Sequence, residues 1–126
     1  MIKENLPVGD YGLKRDDQVV AVVERKTKEN LLHNLQSFEL LRASLHELKT
    51  SPYRAMVFEC SYADLINPKK NPYFKPSYIA DVLAEIYVLF PDIQIIFCDN
   101  RKIANEWTYR WFKSISQTLK NKDENS

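Results

Sequence analysis

The run QVVAVVE at residues 18–24, which leads directly into a helical pattern, constrains the fold of this chain more than any other feature. Its β-branched residues suit the pleated surface of a strand. A polar break, RDD at residues 15–17, separates it from another extended segment, Val8 to Lys14. The two segments predict a β-hairpin whose second strand runs into the first helix.

After Lys26 the hydrophobic period becomes helical. Large apolar residues recur at spacings of three and four, and Thr27 stands where an N-cap belongs. The members of this stripe are Leu31, Leu35, Phe38, Leu41, Leu45 and Leu48. The pattern predicts one long amphipathic helix from about Lys28 to Lys49.

Strand and helix patterns alternate through the rest of the chain. Short apolar runs at Arg54 to Cys60 and Ile93 to Cys98 predict buried strands because they are too short for helices. One helix is predicted to begin at Pro76 and end before Pro91, and the last helix to begin near Asn100.

The resulting element order, β-β-α-β-α-β-α, predicts an α/β fold in which helices flank a mixed sheet. The last helix is expected to bury a stripe with a spacing of four residues, namely Ile103, Trp107, Trp111, Ile115 and Leu119. A chain of 126 residues, 44% of them hydrophobic, has room for one ordinary core. We therefore expect a single domain over residues 1–120 and a polar tail over residues 121–126.

Charge and composition exclude several classes of protein. Eighteen basic residues oppose seventeen acidic ones, so a DNA partner would have to bind a local basic patch. Cys60 and Cys98 stand alone, which argues against a zinc site or a disulfide scaffold. No segment reaches the roughly 18 apolar residues of a membrane span, and Met1 to Val8 lacks the apolar core of a signal peptide. We expect a cytoplasmic protein without a membrane partner.

Three residues of the predicted hairpin could converge on one face. A turn centred near Asp17 would pair residues whose numbers sum to about 34, which places Asp10 opposite Glu24. Because side chains alternate along a strand, Lys26 would share the face of Glu24 while Arg25 points away. A slip of one residue in this pairing would send Asp10 to the other face.

Two carboxylates and an amine are the groups that phosphodiester hydrolysis requires. Carboxylate oxygens hold Mg²⁺ or Mn²⁺, the metal activates water and neutralises developing phosphate charge, and the lysine positions or polarises the nucleophile. The main-chain carbonyl of Arg25 is a further candidate ligand. The spacing alone leaves another interpretation open, a solvated hairpin in which Glu24 and Lys26 form a surface ion pair.

Longer motifs resemble the nuclease domain of the XPF-type structure-specific endonucleases. GDY at residues 9–11, followed by ERK within VVERKTKENLL at 22–32, matches the GD and ERK hallmark of that family. Three later segments are similar to further elements of the family, especially in bacterial and phage relatives: AMVFECSYADLI at 55–66, PSYIADVLAEI at 76–86 and IIFCDNRKIANEW at 95–107. The resemblance covers about residues 8–115.

The resemblance implies a restriction-endonuclease-like fold and Mg²⁺- or Mn²⁺-dependent cleavage of branched or flapped DNA in repair, recombination or phage DNA processing. It implies that Asp10 and Glu24 are metal ligands and that Lys26 is the catalytic lysine. Glu59 falls at the family's strand-end glutamate, which implies a supporting position. A homodimer or a partner nuclease chain is expected because domains of this kind commonly pair and an open sheet edge invites cover.

Departures from the family pattern leave a second function open. Asn30 stands three residues after ERK, where the family has Asp, and Arg42 is only a loose counterpart of an arginine further along the helix. Family domains usually begin with another strand and a helix before GDY, whereas only Met1 to Val8 precede it here. The chain is thus expected to be a fragment, a naturally short relative that lacks the first strand, or half of an assembly. The alternative function is a weakly active or inactive module for DNA binding or dimerisation.

Overall fold

The computed structural model of the chain describes residues 11–125. Its elements in chain order are β1 (Tyr11–Arg15), β2 (Gln18–Thr27), α1 (Lys28–Gln36), α2 (Phe38–Leu48), β3 (Tyr53–Glu59), α3 (Tyr62–Leu65), α4 (Pro76–Leu89), β4 (Gln94–Phe97) and α5 (Arg101–Glu124). The predicted α/β class is confirmed. A strand preceding β1 would fall outside the described residues.

The strands form one mixed sheet in the order β1-β2-β3-β4. β1 runs antiparallel to β2, whereas β2, β3 and β4 run parallel to one another. Parallel neighbours need crossover connections, which α1, α2, α3 and α4 supply. The carboxyl ends of β2, β3 and β4 therefore meet at one edge of the sheet, which we call the carboxyl edge.

The hairpin between β1 and β2 has a two-residue turn. Asp16 and Asp17 have φ angles of 52° and 66°, in the left-handed region that aspartate tolerates better than most residues. Positive φ at both central positions gives the turn the twist that flanking strands require. The RDD signal thus marked the turn correctly.

The hairpin register agrees with the prediction over the described residues. Tyr11 pairs with Val23, and Gly12 and Leu13 continue the ladder in step before an irregularity between Leu13 and Lys14. Asp10, the predicted partner of Glu24, lies outside the described residues. Its place opposite Glu24 stays a prediction.

The two faces of the sheet bury separate clusters. One face, which we call the α1/α4 face, carries Val22, Met56 and Phe58 against leucines and isoleucines of α1, α2 and α4. The other, the α5 face, carries Val23 and Val57 against α5. Helices thus flank the sheet on both sides, as predicted.

The long helix predicted from Lys28 to Lys49 is wrong in one respect, because it is broken at Ser37. Ser37 is extended, with φ −129° and ψ 94°, and its N–H donates to the carbonyl of Asn34 at 3.1 Å. The Ser37 side chain makes no capping hydrogen bond to α2. The break lets α1 and α2 each bury its own leucines, Leu31, Leu32 and Leu35 on one and Leu41, Leu45 and Leu48 on the other.

The stripe predicted for the last helix is displaced around the helix axis. The buried residues of α5 are Ala104, Thr108, Phe112 and Ile115, whereas Ile103 is 41% exposed. Trp107 and Trp111 stack on each other with ring centroids 5.1 Å apart and lie partly buried at the flank of the cluster. The small side chains of Ala104 and Thr108 allow the helix to approach the sheet, which the indole rings would prevent.

The end of α5 lies beyond the boundary predicted for the domain. The helix continues through the segment 121–124, whose side chains are exposed. An ion pair joins Asp123 near its end to Arg15 at the end of β1. Most of the predicted polar tail is therefore helical.

Cys60 and Cys98 are free and buried, as the sequence indicated for two isolated cysteines. Burial raises the pKa of the Cys60 thiol to about 11 and also raises the pKa of Cys98.

Over residues 11–125, no helix combines the length and the apolar character that a membrane crossing requires.

Candidate active site

Glu24 and Lys26 lie near the C-terminal end of β2, where the strand approaches the carboxyl edge. In the parallel ladder with β3, Glu24 pairs with Met56 and Lys26 pairs with Phe58. Alternation places both side chains on the α1/α4 face, in line with Val22. Lys26 Nζ lies 3.7 Å from Glu24 Oε2, so the structure brings the predicted pair together.

The burial of this pair separates the two interpretations of the motif. The side chain of Glu24 is 21% exposed and that of Lys26 is 15% exposed, and Glu24 Oε2 itself is shielded from solvent. Exposed pairs contribute little because water screens them, whereas desolvated charges interact strongly and are costly to bury. A surface ion pair on a solvated hairpin does not describe this arrangement.

Thr27 ends the strand immediately after Lys26 and begins α1. Its hydroxyl accepts a hydrogen bond from the N–H of Asn30 at 3.1 Å, which is the usual N-cap arrangement. Asn30 therefore contributes a backbone donor to the cap, and its side chain is exposed. The neighbouring Glu29 keeps an acidic residue in the first turn of α1.

Arg25 points to the α5 face, as alternation predicts. Its Nε lies 3.0 Å from Glu59 Oε1, and its Nη1 donates to the Tyr11 hydroxyl at 2.6 Å and to Asn105 Oδ1 at 3.3 Å. The guanidinium also lies over the Tyr11 ring, 5.3 Å from its centroid. Arg25 thus joins β1, β2, β3 and α5.

Glu59 ends β3 and lies on the α5 face, beside Arg25 rather than beside Glu24 and Lys26. Its side chain is only 7% exposed, and the same Oε1 atom lies 3.3 Å from Nε of Arg101. Arg101 begins α5 and is 62% exposed. The family resemblance implies that Glu59 supports the site, and the structure places Glu59 on the opposite face of the sheet from the candidate catalytic pair.

We call the set Tyr11, Arg25, Glu59, Arg101 and Asn105 the Glu59 clamp. Sequence reasoning missed Tyr11 and Asn105 as functional candidates. Strand alternation already predicted that Arg25 lies on the face opposite to Glu24 and Lys26. A partly buried guanidinium there requires an anionic partner, so an acidic residue could have been sought on that face.

A cleft of about 320 Å³ opens at the carboxyl edge between the ends of β2, β3 and β4. Its walls carry both signs of charge, and they consist of Thr27, Lys28, Glu29, Glu59, Cys60, Asp64, Asp99, Asn100 and Arg101. Asp64 accepts a hydrogen bond from Lys70 at 2.6 Å, which holds the pKa of that carboxyl below its usual value. The Arg101 end of the cleft is the part that is suited to an anion.

The donor set on the α1/α4 face is compatible with a hard metal cation. Glu24 offers carboxylate oxygens beside Lys26, and oxygen ligands of this kind suit Mg²⁺ and Mn²⁺. Within residues 11–125, no three His, Cys, Asp or Glu side chains converge into a metal-binding group. The second carboxylate of the predicted site, Asp10, falls outside that range.

A mixed sheet flanked by helices, with an acidic residue and a lysine side by side at the end of a central strand, defines the restriction-endonuclease-like class of proteins. The family model for the ERCC4 domain matches residues 1–111, and the chain belongs to this family. Family membership indicates a nuclease that acts on DNA and confirms the XPF-type resemblance. A comparison with curated proteins gave no match. The likeness to bacterial and phage relatives stays a prediction.

Proposed function

We propose that the chain is a metal-dependent DNA endonuclease whose catalytic side chain is Lys26. The observation that carries the proposal is the Glu24–Lys26 pair, which is largely desolvated and lies 3.7 Å apart in a domain of a DNA nuclease family. A fold alone does not assign a reaction, so the proposal depends on these two side chains.

Asp10 and Glu24, with the main-chain carbonyl of Arg25, are proposed to hold Mg²⁺ or Mn²⁺. When bound, such an ion neutralises charge on the phosphate and lowers the pKa of a coordinated water. Glu24 lies on a strand whose backbone is held by β3 at this position and by β1 up to Val23. Sites built on strands hold their geometry better than sites on loops.

Lys26 is proposed to bind the phosphate oxygen or the attacking water through its ammonium group. In the reaction, the water gives up a proton to solvent and its oxygen forms a bond to phosphorus, the bond from phosphorus to one sugar oxygen breaks, and that oxygen takes up a proton from solvent. The ammonium carries three donors, so it can contact Glu24 and still donate to the substrate. A fixed positive charge stabilises the negative charge that develops on phosphorus–oxygen groups.

The substrate class is proposed to be branched or flapped DNA, in repair, recombination or phage DNA processing. Basic side chains at the carboxyl edge support contact with a phosphate backbone, since Lys28 and Arg101 line the cleft and Lys102 follows Arg101 on α5. A homodimer or a partner nuclease chain is proposed as the functional assembly. The cellular compartment stays a prediction.

Cleavage of a panel of linear, flapped and branched DNA tests the proposal. We expect cleavage that depends on Mg²⁺ or Mn²⁺ and is abolished in Lys26→Ala and in Asp10→Asn, while far-UV circular dichroism and the melting temperature show that both variants fold. Lys122→Ala is the matched control, because Lys122 is an exposed lysine near the end of α5. This control is expected to keep wild-type activity.

Metal-independent cleavage, or full activity in Lys26→Ala, would contradict the proposal. A chain that binds DNA of any of these forms but cleaves none of them with either metal would favour the alternative, an inactive module for DNA binding or dimerisation. The observation that favours this second function is Asn30, which stands where the family has Asp.

A further inference from the structure

We propose that Glu59 is a positioning residue, which acts through Arg25 to fix the direction of Glu24 and Lys26. The inference rests on the proposed nuclease function. Glu59 lies on the opposite face of the sheet from the catalytic pair, so any effect it has on that pair is indirect. The contacts of Arg25 provide the physical connection.

Arg25 is held from three directions. Glu59 contacts its Nε at 3.0 Å, and Tyr11 and Asn105 accept hydrogen bonds from its Nη1 at 2.6 and 3.3 Å. A guanidinium is planar and carries donors in a fixed fork, so contacts on separate edges fix its orientation as well as its position. Arg25 therefore has little freedom to rotate.

A fixed Arg25 constrains its two neighbours along the chain. Glu24 and Lys26 flank Arg25, and alternation along β2 requires their side chains to leave the strand on the side opposite to the guanidinium. A twist of the backbone that moved the catalytic pair would also pull Arg25 from Glu59. The clamp thus opposes rotation of β2 just before the strand ends at Thr27.

Glu59 is the central anion of the clamp. Its side chain is 7% exposed and contacts both Arg25 and Arg101, and the removal of one partner of a desolvated ion pair leaves the other charge uncompensated. Arg101 is 62% exposed, so water can replace part of what Glu59 offers it. Arg25 is 22% exposed and depends more strongly on the carboxylate.

Two other roles for Glu59 give different kinetic results. If Glu59 only aimed Arg101 at a DNA phosphate, its loss would raise KM and weaken the salt dependence of binding. If Glu59 only stabilised the fold, its loss would lower the melting temperature and leave the activity of the folded protein unchanged. A positioning role lowers kcat, or the affinity for the metal, in the folded protein.

A double-mutant cycle on the full chain tests the connection through Arg25. We expect Glu59→Gln to lower kcat or Mn²⁺ affinity by about 10- to 100-fold, as is typical for residues that orient ligands of a metal. In an Arg25→Met background, Glu59→Gln is expected to have no further effect, because the residue through which it acts is gone. Mn²⁺ affinity is measured by isothermal titration calorimetry without DNA, and kcat and KM by cleavage.

Glu85→Gln is the matched control for the loss of a glutamate charge. Glu85 lies on α4 and is paired with Arg42 at 4.0 Å, but both side chains are substantially exposed. We expect this variant to retain wild-type kcat, KM and Mn²⁺ affinity. The control separates the position of Glu59 from the general effect of breaking an Arg–Glu pair.

Several results would overturn the inference. These are wild-type kcat and Mn²⁺ affinity in folded Glu59→Gln, effects that add in the double variant, or a change confined to KM. If Glu59→Gln fails to fold, Arg25→Met removes the residue through which Glu59 is proposed to act, and an unchanged kcat and Mn²⁺ affinity in that folded variant would overturn the inference equally. A wild-type chain that cleaves no DNA would instead overturn the proposed function on which the inference rests.

Discussion

Adjacent residues of one strand point to opposite faces of the sheet in this protein. Glu24 and Lys26 face α1 and α4, whereas Arg25 between them faces α5 and the carboxylate of Glu59. Strand alternation alone produces this division, because neighbouring side chains leave a strand on opposite sides. The ERK motif therefore divides between the two faces of the sheet, with Glu24 and Lys26 on one face and Arg25 on the other.

The protonation of Cys60 is the clearest consequence of burial at the residue scale. Its pKa is raised to about 11 chiefly by desolvation, so the thiol stays protonated near neutral pH. We expect the folded chain to react slowly with iodoacetamide at pH 8 at Cys60, and the chain in denaturant to react at the rate of an ordinary thiol. Mass spectrometry of the alkylated peptides measures both rates, and rapid alkylation of the folded chain would contradict the expectation.

The same shift has a consequence for stability at high pH. The folded pKa lies above the ordinary value of 9.0, so the contribution of Cys60 to the free energy of unfolding is complete below pH 9 and is lost as pH rises toward 11. We expect Cys60→Ala to show a smaller loss of stability between these pH values than the wild type. Urea unfolding across that range measures it, and parallel curves would contradict the assignment.

At the scale of elements, the junction between β2 and α1 connects the candidate site to the fold. Lys26 is followed directly by the N-cap Thr27, whose hydroxyl satisfies the backbone N–H of Asn30. No residue therefore separates the candidate pair from the N-cap of α1, and the cap hydrogen bond limits fraying on that side.

We expect Thr27→Ala to lower the free energy of unfolding by about 0.5–2 kcal/mol, because the cap hydrogen bond is lost. Thr118→Ala is the matched control, since Thr118 is exposed in the interior of α5, where alanine has the higher helix propensity. Urea denaturation of both variants measures the difference. A Thr27→Ala chain as stable as Thr118→Ala would contradict the role of the cap.

The elements were predictable where their signals are local. The RDD turn, the β-branched run of β2 and the proline at the start of α4 specify their own structure through neighbouring residues. The break at Ser37 was not predictable, because no glycine or proline marks it and the leucine period continues on both sides. The choice between one helix and two depends on the packing of the leucines against the sheet.

At the scale of the whole molecule, the clamp depends on contacts between residues far apart in the sequence. Arg25 and Glu59 meet because β2 and β3 pair in parallel with Thr27 opposite Glu59, and Asn105 arrives from α5. A sequence read segment by segment does not contain this register. Glu24 and Lys26, two residues apart on one strand, could be assigned to a single face without it.

The sheet separates the candidate catalytic pair from the Glu59 clamp. The α1/α4 face carries the candidate pair, and the α5 face carries the partly buried clamp that contacts the same strand through Arg25. The rotation of α5 relative to the predicted stripe matters here, because it brings Ala104 onto the sheet and lets Asn105 reach Arg25. A helix turned to bury both indole rings would place Asn105 elsewhere.

A crystal of the chain soaked in Mn²⁺ tests the metal site at Glu24, because it locates the metal independently of any DNA substrate. We expect an anomalous peak at the carboxylate of Glu24 on the α1/α4 face, beside Lys26, and the loss of that peak in Glu24→Gln. A Mn²⁺ ion bound elsewhere on the chain, with no peak at Glu24, would contradict it.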